Sequence, residues 1–177
     1  MRLIVTITYF QGDEKIIPKE LAIYDPDSNH LQSWIFAPPF LWDELEGGLQ
    51  DENSWLQKHV HGLTWQCGDI PSAKFSSILH EYTAHASALY TFGPLQSAFL
   101  SEKLGRHVID LQELDCPRYQ QLAFPHTFSC SHILHRVASM ECAVRAATAY
   151  GTYLKHRDMN CLMIPEVTRP RASSSSF

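Results

Sequence analysis

The sequence lacks several features that would narrow its function at once. It has no excess of positive charge: 14 Lys and Arg stand against 19 Asp and Glu, for a formal net charge of -5. This balance argues against a protein that coats nucleic acid non-specifically. The five cysteines are an odd number at uneven spacing, which does not fit a disulfide framework. We also find neither a signal peptide nor a membrane-spanning run, and we expect an intracellular protein with reduced thiols.

Common catalytic motifs are missing as well: there is no nucleophile triad, no glycine-rich phosphate loop and no haem motif. What remains is the composition of a globular protein, with 177 residues of which 45% are hydrophobic. We predict one domain over residues 1–160. The polar, serine-rich segment 161–177 is predicted to be a flexible tail.

Three β-branched and aromatic segments open the chain, separated by turn-forming residues. They predict strands over Leu3–Tyr9, Ile16–Tyr24 and Leu31–Ala37. Because the connections are short, the three strands should form an antiparallel meander. Pro18, early in the second strand, indicates a bulge or a sheet edge.

Helical patterns follow, separated by two short apolar strands. The helices are predicted over Asn53–Gly62 with Asn53 as its cap, from Ser72 onward, over Pro94–Leu104 and over Ser139–Lys155. The strands are predicted over Ala86–Tyr90 and His107–Leu111. In the third helix, Leu95, Phe99 and Leu100 should face inward. The fold class is therefore α/β, with helices packed on a mixed five-stranded sheet.

This order of elements, over roughly residues 2–157, resembles the DnaQ-like (DEDDh exonuclease) branch of the RNase H-like fold. Local matches support the resemblance in the same order along the chain. They are Ile17–Ile23, Phe36–Pro39, His61–Thr64, Val108–Leu111 and Cys142–Ala147. The resemblance implies an RNase H-like sheet whose first three strands are antiparallel.

The acidic residues that such exonucleases use to hold two metal ions are replaced. Their matching positions are Thr6, Thr8, Gln96 and Ala146, and Glu141 stands where the family has a histidine. Neutral threonine, glutamine and alanine cannot hold two Mg²⁺ ions. We therefore expect no two-metal exonuclease activity.

The chain also resembles the Maelstrom domain, which has this fold without the exonuclease acids and carries a Glu-Cys-His-Cys zinc site. The resemblance implies Glu20, Cys130, His135 and Cys142 as ligands. The histidine spacing departs from the family's Cys-x-x-His, which leaves His132 as an alternative to His135. Four protein ligands leave no open position on zinc, so the implied role is structural.

The resemblance implies a non-catalytic module in small-RNA (piRNA) or transposon silencing, nuclear or in cytoplasmic germline granules. Its partner would be single-stranded RNA or a protein. Lys103, Arg106, Arg118 and Arg136 are the candidate phosphate-binding residues. Two alternatives stay open: a metal-independent endonuclease of single-stranded RNA, and an interaction scaffold of viral or transposon origin.

Overall fold

A mixed five-stranded sheet forms the centre of the computed structural model, which describes residues 1–122 and 141–162. The strands are β1 (Arg2–Gln11), β2 (Ile16–Asp25), β3 (His30–Ile35), β4 (Ala88–Thr91) and β5 (Ile109–Asp110). Their order across the sheet is β3-β2-β1-β4-β5. The first three are antiparallel, and β4 and β5 run parallel to β1. The predicted α/β class and the antiparallel opening meander are thus confirmed.

A bulge interrupts β2 at the position that Pro18 predicted. The pairing with β1 passes from Thr8 opposite Glu20 to Tyr9 opposite Pro18, so Lys19 is the extra residue. The Lys19 side chain points inward and is only 2% exposed. Its ammonium donates hydrogen bonds to the carbonyl oxygens of Phe36 (2.9 Å), Trp65 (2.7 Å) and Cys67. Burial lowers the pKa of this amine.

The helices are α1 (Gly47–Leu56), α2 (Phe75–Thr83), α3 (Pro94–Leu104) and α4 (Ala143–Leu162). The prediction that Asn53 caps the first helix is wrong, because α1 begins at Gly47 and a π-helical turn extends it over Gln57–His61. Asn53 is fully buried instead. Its side chain accepts a hydrogen bond from Gln11 N (2.7 Å) and donates one to Gln11 O (2.9 Å).

The bounds of α3 are those that its flanking residues predict, with Pro94 in the first turn and Gly105 in the left-handed conformation at the end (φ 63°). Leu100 is buried as expected. Leu95 was predicted to face inward, but it is 48% exposed. It lies in the first turn, at the mouth of the cavity described below. The predicted start of the last helix at Ser139 lies outside the described residues, as does most of the predicted tail.

The core has two layers because β1 is buried on both faces. Ile4 belongs to the layer under α4, and Val5 belongs to the layer under α2 and α3. The helix α4 approaches β2 closely at Gly151. A Cβ atom at this position would lie 2.5 Å from Cε1 of Tyr24.

Candidate functional site

A cavity of about 220 Å³ opens where the carboxyl end of β1 meets the amino ends of α3 and α4. In sheets with parallel strands, this end is where ligands commonly bind. The five positions that match the four acids and the histidine of the exonucleases all line the cavity: Thr6, Thr8, Gln96, Glu141 and Ala146. Residues from three separate parts of the chain therefore meet at one site.

The two threonines share a face because side chains two apart in a strand point the same way. Each is only 3% exposed. Thr6 Oγ1 donates a hydrogen bond to Ala143 O (2.7 Å), which fixes the first turn of α4 against β1. Thr8 Oγ1 is buried and has no hydrogen-bond partner among the described residues. A buried hydroxyl in this state is uncommon and costs free energy.

Gln96 is held in place by its own side-chain oxygen. Oε1 accepts hydrogen bonds from Ile7 N (3.3 Å) and Thr91 Oγ1 (3.3 Å), which ties α3 to β1 and β4. The turn before α3 is fixed in a similar way, since Gly93 N donates to Asp110 Oδ1 (2.8 Å). Asp110 is thus an acidic residue near the cavity with a structural role.

Two side chains of opposite charge type, Glu141 and Arg118, determine the electrostatics of the cavity. Burial raises the pKa of the Glu141 carboxyl, and the positive charge of Arg118 partly opposes this shift. Both residues line the cavity. Among the described lining residues Glu141 is the only carboxylate, so this donor set does not fit two divalent metal ions.

Two of the four predicted zinc ligands are brought to one place. Glu20 and Cys142 are both buried, at 0% and 1% exposure. Glu20 Oε2 accepts a hydrogen bond from the backbone N of Ala143 (3.1 Å), the residue that follows Cys142. In residues 1–122 and 141–162, no three His, Cys, Asp or Glu side chains are grouped to hold a metal. Cys130, His132 and His135 lie outside this part of the chain.

The candidate phosphate-binding residues lie at different ends of α3. Arg118 is exposed and lines the cavity beside the first turn. Lys103 lies in the last turn with its amine 5.6 Å from the centre of the Phe99 ring, and Arg106 donates a hydrogen bond to Ala86 O (2.8 Å). Arg136 falls outside the described residues.

Some residues of the site were missed by the sequence analysis. Gln112 and Gln120 line the cavity from the segment after β5, where no periodic pattern marks a polar residue as functional. Phe92, also in the lining, stacks on Tyr150 with ring centres 4.9 Å apart and planes 6° from parallel. These side chains add hydrogen-bonding and aromatic groups to the cavity wall.

The chain matches no protein-family model, and no curated protein is significantly similar to it. In the described part of the chain, no helix combines the length and the apolar character needed to cross a lipid bilayer.

Proposed function

We propose that this chain is a catalytically degenerate nuclease-fold module that binds single-stranded RNA in the cavity at the end of β1. The observation that carries the proposal is the convergence of Thr6, Thr8, Gln96, Glu141 and Ala146 on one cavity. An alignment that matched unrelated elements would scatter these positions over the molecule. Their meeting supports the resemblance to the DnaQ-like exonucleases and Maelstrom domains.

The topology of the sheet supports the same resemblance. An RNase H-like fold requires an antiparallel β1-β2-β3 meander whose first strand also pairs in parallel with β4, and β5 beyond it. The order β3-β2-β1-β4-β5 has this arrangement, with α4 on one face and α2 and α3 on the other. We propose on this ground that the fold is RNase H-like.

The chemistry of the lining favours binding over hydrolysis. Two-metal hydrolysis needs several carboxylates, and the described lining supplies one, Glu141. Arg118 and the amides of Gln112 and Gln120 are exposed groups that hydrogen-bond to phosphates and base edges. Polar groups of this kind suit an RNA strand as the ligand. They suit a protein partner less well, because the centre of a protein–protein interface is usually apolar.

We further propose that zinc stabilises the module, bound by Glu20, Cys142, Cys130 and one of His132 and His135. The hydrogen bond between Glu20 and the residue after Cys142 supports the first two as neighbours. Zinc accepts carboxylate, thiolate and imidazole ligands. Its contribution would be to hold the start of α4 against β2.

The test is a binding and cleavage assay with a fluorescent single-stranded RNA oligonucleotide. We expect salt-dependent binding and no cleavage with Mg²⁺ or Mn²⁺. An Arg118→Glu variant should lose affinity by about tenfold or more, because a phosphate contact becomes a repulsive one. Lys74→Glu makes the same charge change at an exposed residue before α2 and should keep the affinity.

Three outcomes would contradict the proposal. Metal-dependent cleavage would contradict the argument that the cavity has too few carboxylates to hold two metal ions. Cleavage that persists in EDTA, and is absent from Arg118→Glu, would favour the metal-independent endonuclease. Failure of the folded protein to bind RNA would overturn the RNA ligand and leave a protein partner as the alternative.

A further inference from the structure

The first turn of α3 lines the cavity with backbone N–H groups that have no acceptor within the helix. The helix has 11 residues and begins after Gly93 (φ 95°), whose own N–H donates to Asp110 Oδ1 (2.8 Å). In the described part of the chain, its N-cap residue makes no side-chain hydrogen bond. Pro94 has no N–H, and the N–H groups of Leu95 and Gln96 have no acceptor within the helix. Gly93, Pro94, Leu95 and Gln96 all line the cavity. The amino end of a helix also carries the positive end of its dipole, which favours an anion.

The hydroxyl of Thr8 supplies an independent indication of a ligand. Thr8 is 97% buried and lines the same cavity, and its Oγ1 makes no hydrogen bond within residues 1–122 and 141–162. The neighbouring Thr6, on the same face of β1, does have an acceptor in Ala143 O. An unpaired buried hydroxyl is disfavoured unless a ligand completes its hydrogen bonding. Thr8 therefore offers a donor at the base of the cavity.

Charges at the cavity mouth complete the site. The guanidinium of Arg118 carries a fixed positive charge and suits phosphate geometry. Glu141 is the one carboxylate of the described lining, and the guanidinium of Arg118 is its counter-charge. The other titratable groups of the described lining are Tyr9, Tyr119, Tyr150 and Cys142, which are neutral when protonated.

We propose that the cavity binds a phosphate group directly, without a bridging divalent cation. The Leu95 and Gln96 N–H groups, the Thr8 hydroxyl and the Arg118 guanidinium would donate to its oxygens. In an exonuclease, carboxylates hold the phosphate through metal ions; here the neutral side chains remove the charge that would exclude a bare phosphate. The inference rests on the proposed RNA binding for the source of the phosphate, a nucleotide of the strand.

The experiment is an amide NMR titration of the full chain, in buffer without Mg²⁺, Mn²⁺ or a chelator, with inorganic phosphate, adenosine 5′-monophosphate and adenosine. Phosphate and the nucleotide should shift the Leu95 and Gln96 amide signals, and adenosine should not. Thr8→Val and Arg118→Gln should each weaken phosphate binding by about tenfold, as expected for a lost hydrogen bond to a charged group. Thr8→Val should fold at least as stably as the wild type, since the hydroxyl that it removes has no partner in the part of the chain that the structure describes.

Lys74→Gln is the matched control for the loss of one positive charge. Lys74 is exposed, precedes α2 and lies outside the described lining of the cavity. Because exposed charges are screened beyond a Debye length of about 8 Å at physiological ionic strength, phosphate affinity should stay within about twofold.

The possible failures of the two proposals are distinguishable. If neither phosphate nor the nucleotide shifts these amides, or Thr8→Val binds phosphate as well as the wild type, the phosphate site is overturned. RNA binding by the same sample would then preserve the proposed function. Phosphate binding in a protein that does not bind RNA would support the site and overturn RNA as its source.

Discussion

At the scale of single residues, Glu20 and Ala143 are 123 positions apart in the chain and are joined by one hydrogen bond of 3.1 Å. Thr6 and Tyr119 reach the same short segment, through Ala143 O and Cys142 N. Three separate parts of the chain thus hold residues 142 and 143. A metal bound by Glu20 and Cys142 would reinforce contacts that the protein already makes.

The zinc hypothesis predicts a specific result for Cys142→Ser. The wild-type protein should contain one zinc ion per chain, and the variant should contain none, because a serine hydroxyl does not replace a thiolate ligand. The free energy of unfolding should fall, and chelation should then have no further effect. Elemental analysis and chemical unfolding with and without a chelator measure these quantities.

Cys116→Ser is the control for burying a hydroxyl in the same core. Cys116 is 5% exposed, close to the 1% of Cys142, and belongs to the same layer under α4. This variant should lose stability and keep its zinc. A well-folded wild-type protein without zinc would contradict the metal proposal.

The sequence could identify the lining threonines but not the buried lysine. Thr6 and Thr8 share a face because of the two-residue period of a strand, so one alignment predicts both. Lys19 breaks that period, because the bulge at this residue shifts the register. Pro18 predicted a bulge or a sheet edge, but nothing local to it shows that three distant carbonyl groups would surround the amine.

At the scale of elements, the packing of α4 on β2 depends on a glycine. Gly151 faces the ring of Tyr24, whose hydroxyl is held by Asn29 Oδ1 at 2.7 Å. The ring therefore cannot move aside easily. Small residues at this face let the helix and the strand come close together.

Gly151→Ala should lower the free energy of unfolding by about 1–3 kcal/mol, the usual cost of overpacking a core. Alanine favours a helix by about 1 kcal/mol over glycine. A decrease in the free energy of unfolding would therefore show that the steric conflict with Tyr24 outweighs the higher helix propensity of alanine. The control is Gly48→Ala in α1, where an added Cβ would meet nothing within 4 Å. Gly48→Ala should be neutral or stabilising; equal effects of the two substitutions in denaturant unfolding would contradict this account.

The elements were predicted to different degrees for physical reasons. The bounds of α3 follow from Pro94 and Gly105, whose backbone preferences act locally. The start of α1 could not be predicted in this way, because the Asn53 side chain binds the backbone of Gln11 and does not cap the helix. Tertiary hydrogen bonds of this kind leave no pattern in a short window of sequence.

At the scale of the whole molecule, buried thiol and phenol groups make the free energy of unfolding depend on pH in the alkaline range. Burial raises the pKa of Cys116 from 9.0 to about 12 and that of Tyr119 from 10.0 to about 12, and it raises the pKa of Tyr150. Above pH 9 the unfolded chain therefore releases protons that the folded chain retains. Stability is fully present below pH 9 and is lost as the pH rises towards 12. Burial lowers the pKa of Lys19, so this group has the opposite effect: its contribution to stability decreases as the pH falls below 10.5.

We predict that the free energy of unfolding falls steeply between pH 9 and pH 11, with each group contributing at most about 1.4 kcal/mol per pH unit. Cys116→Ala should make the fall shallower, because it removes one of these groups. Tyr82→Phe removes a tyrosine that is 39% exposed and should leave the slope unchanged. Urea unfolding of the three proteins at several pH values tests this; a flat profile for the wild type would contradict it.

The enclosure of Lys19 by the carbonyl groups of Phe36, Trp65 and Cys67 has a consequence for chemical labelling. An amine in this position meets an acylating reagent only while those residues move away. The exposed lysines react continuously, so they provide an internal standard within the same molecule. The modification rate of Lys19 relative to theirs therefore measures how often this corner of the protein opens without unfolding as a whole.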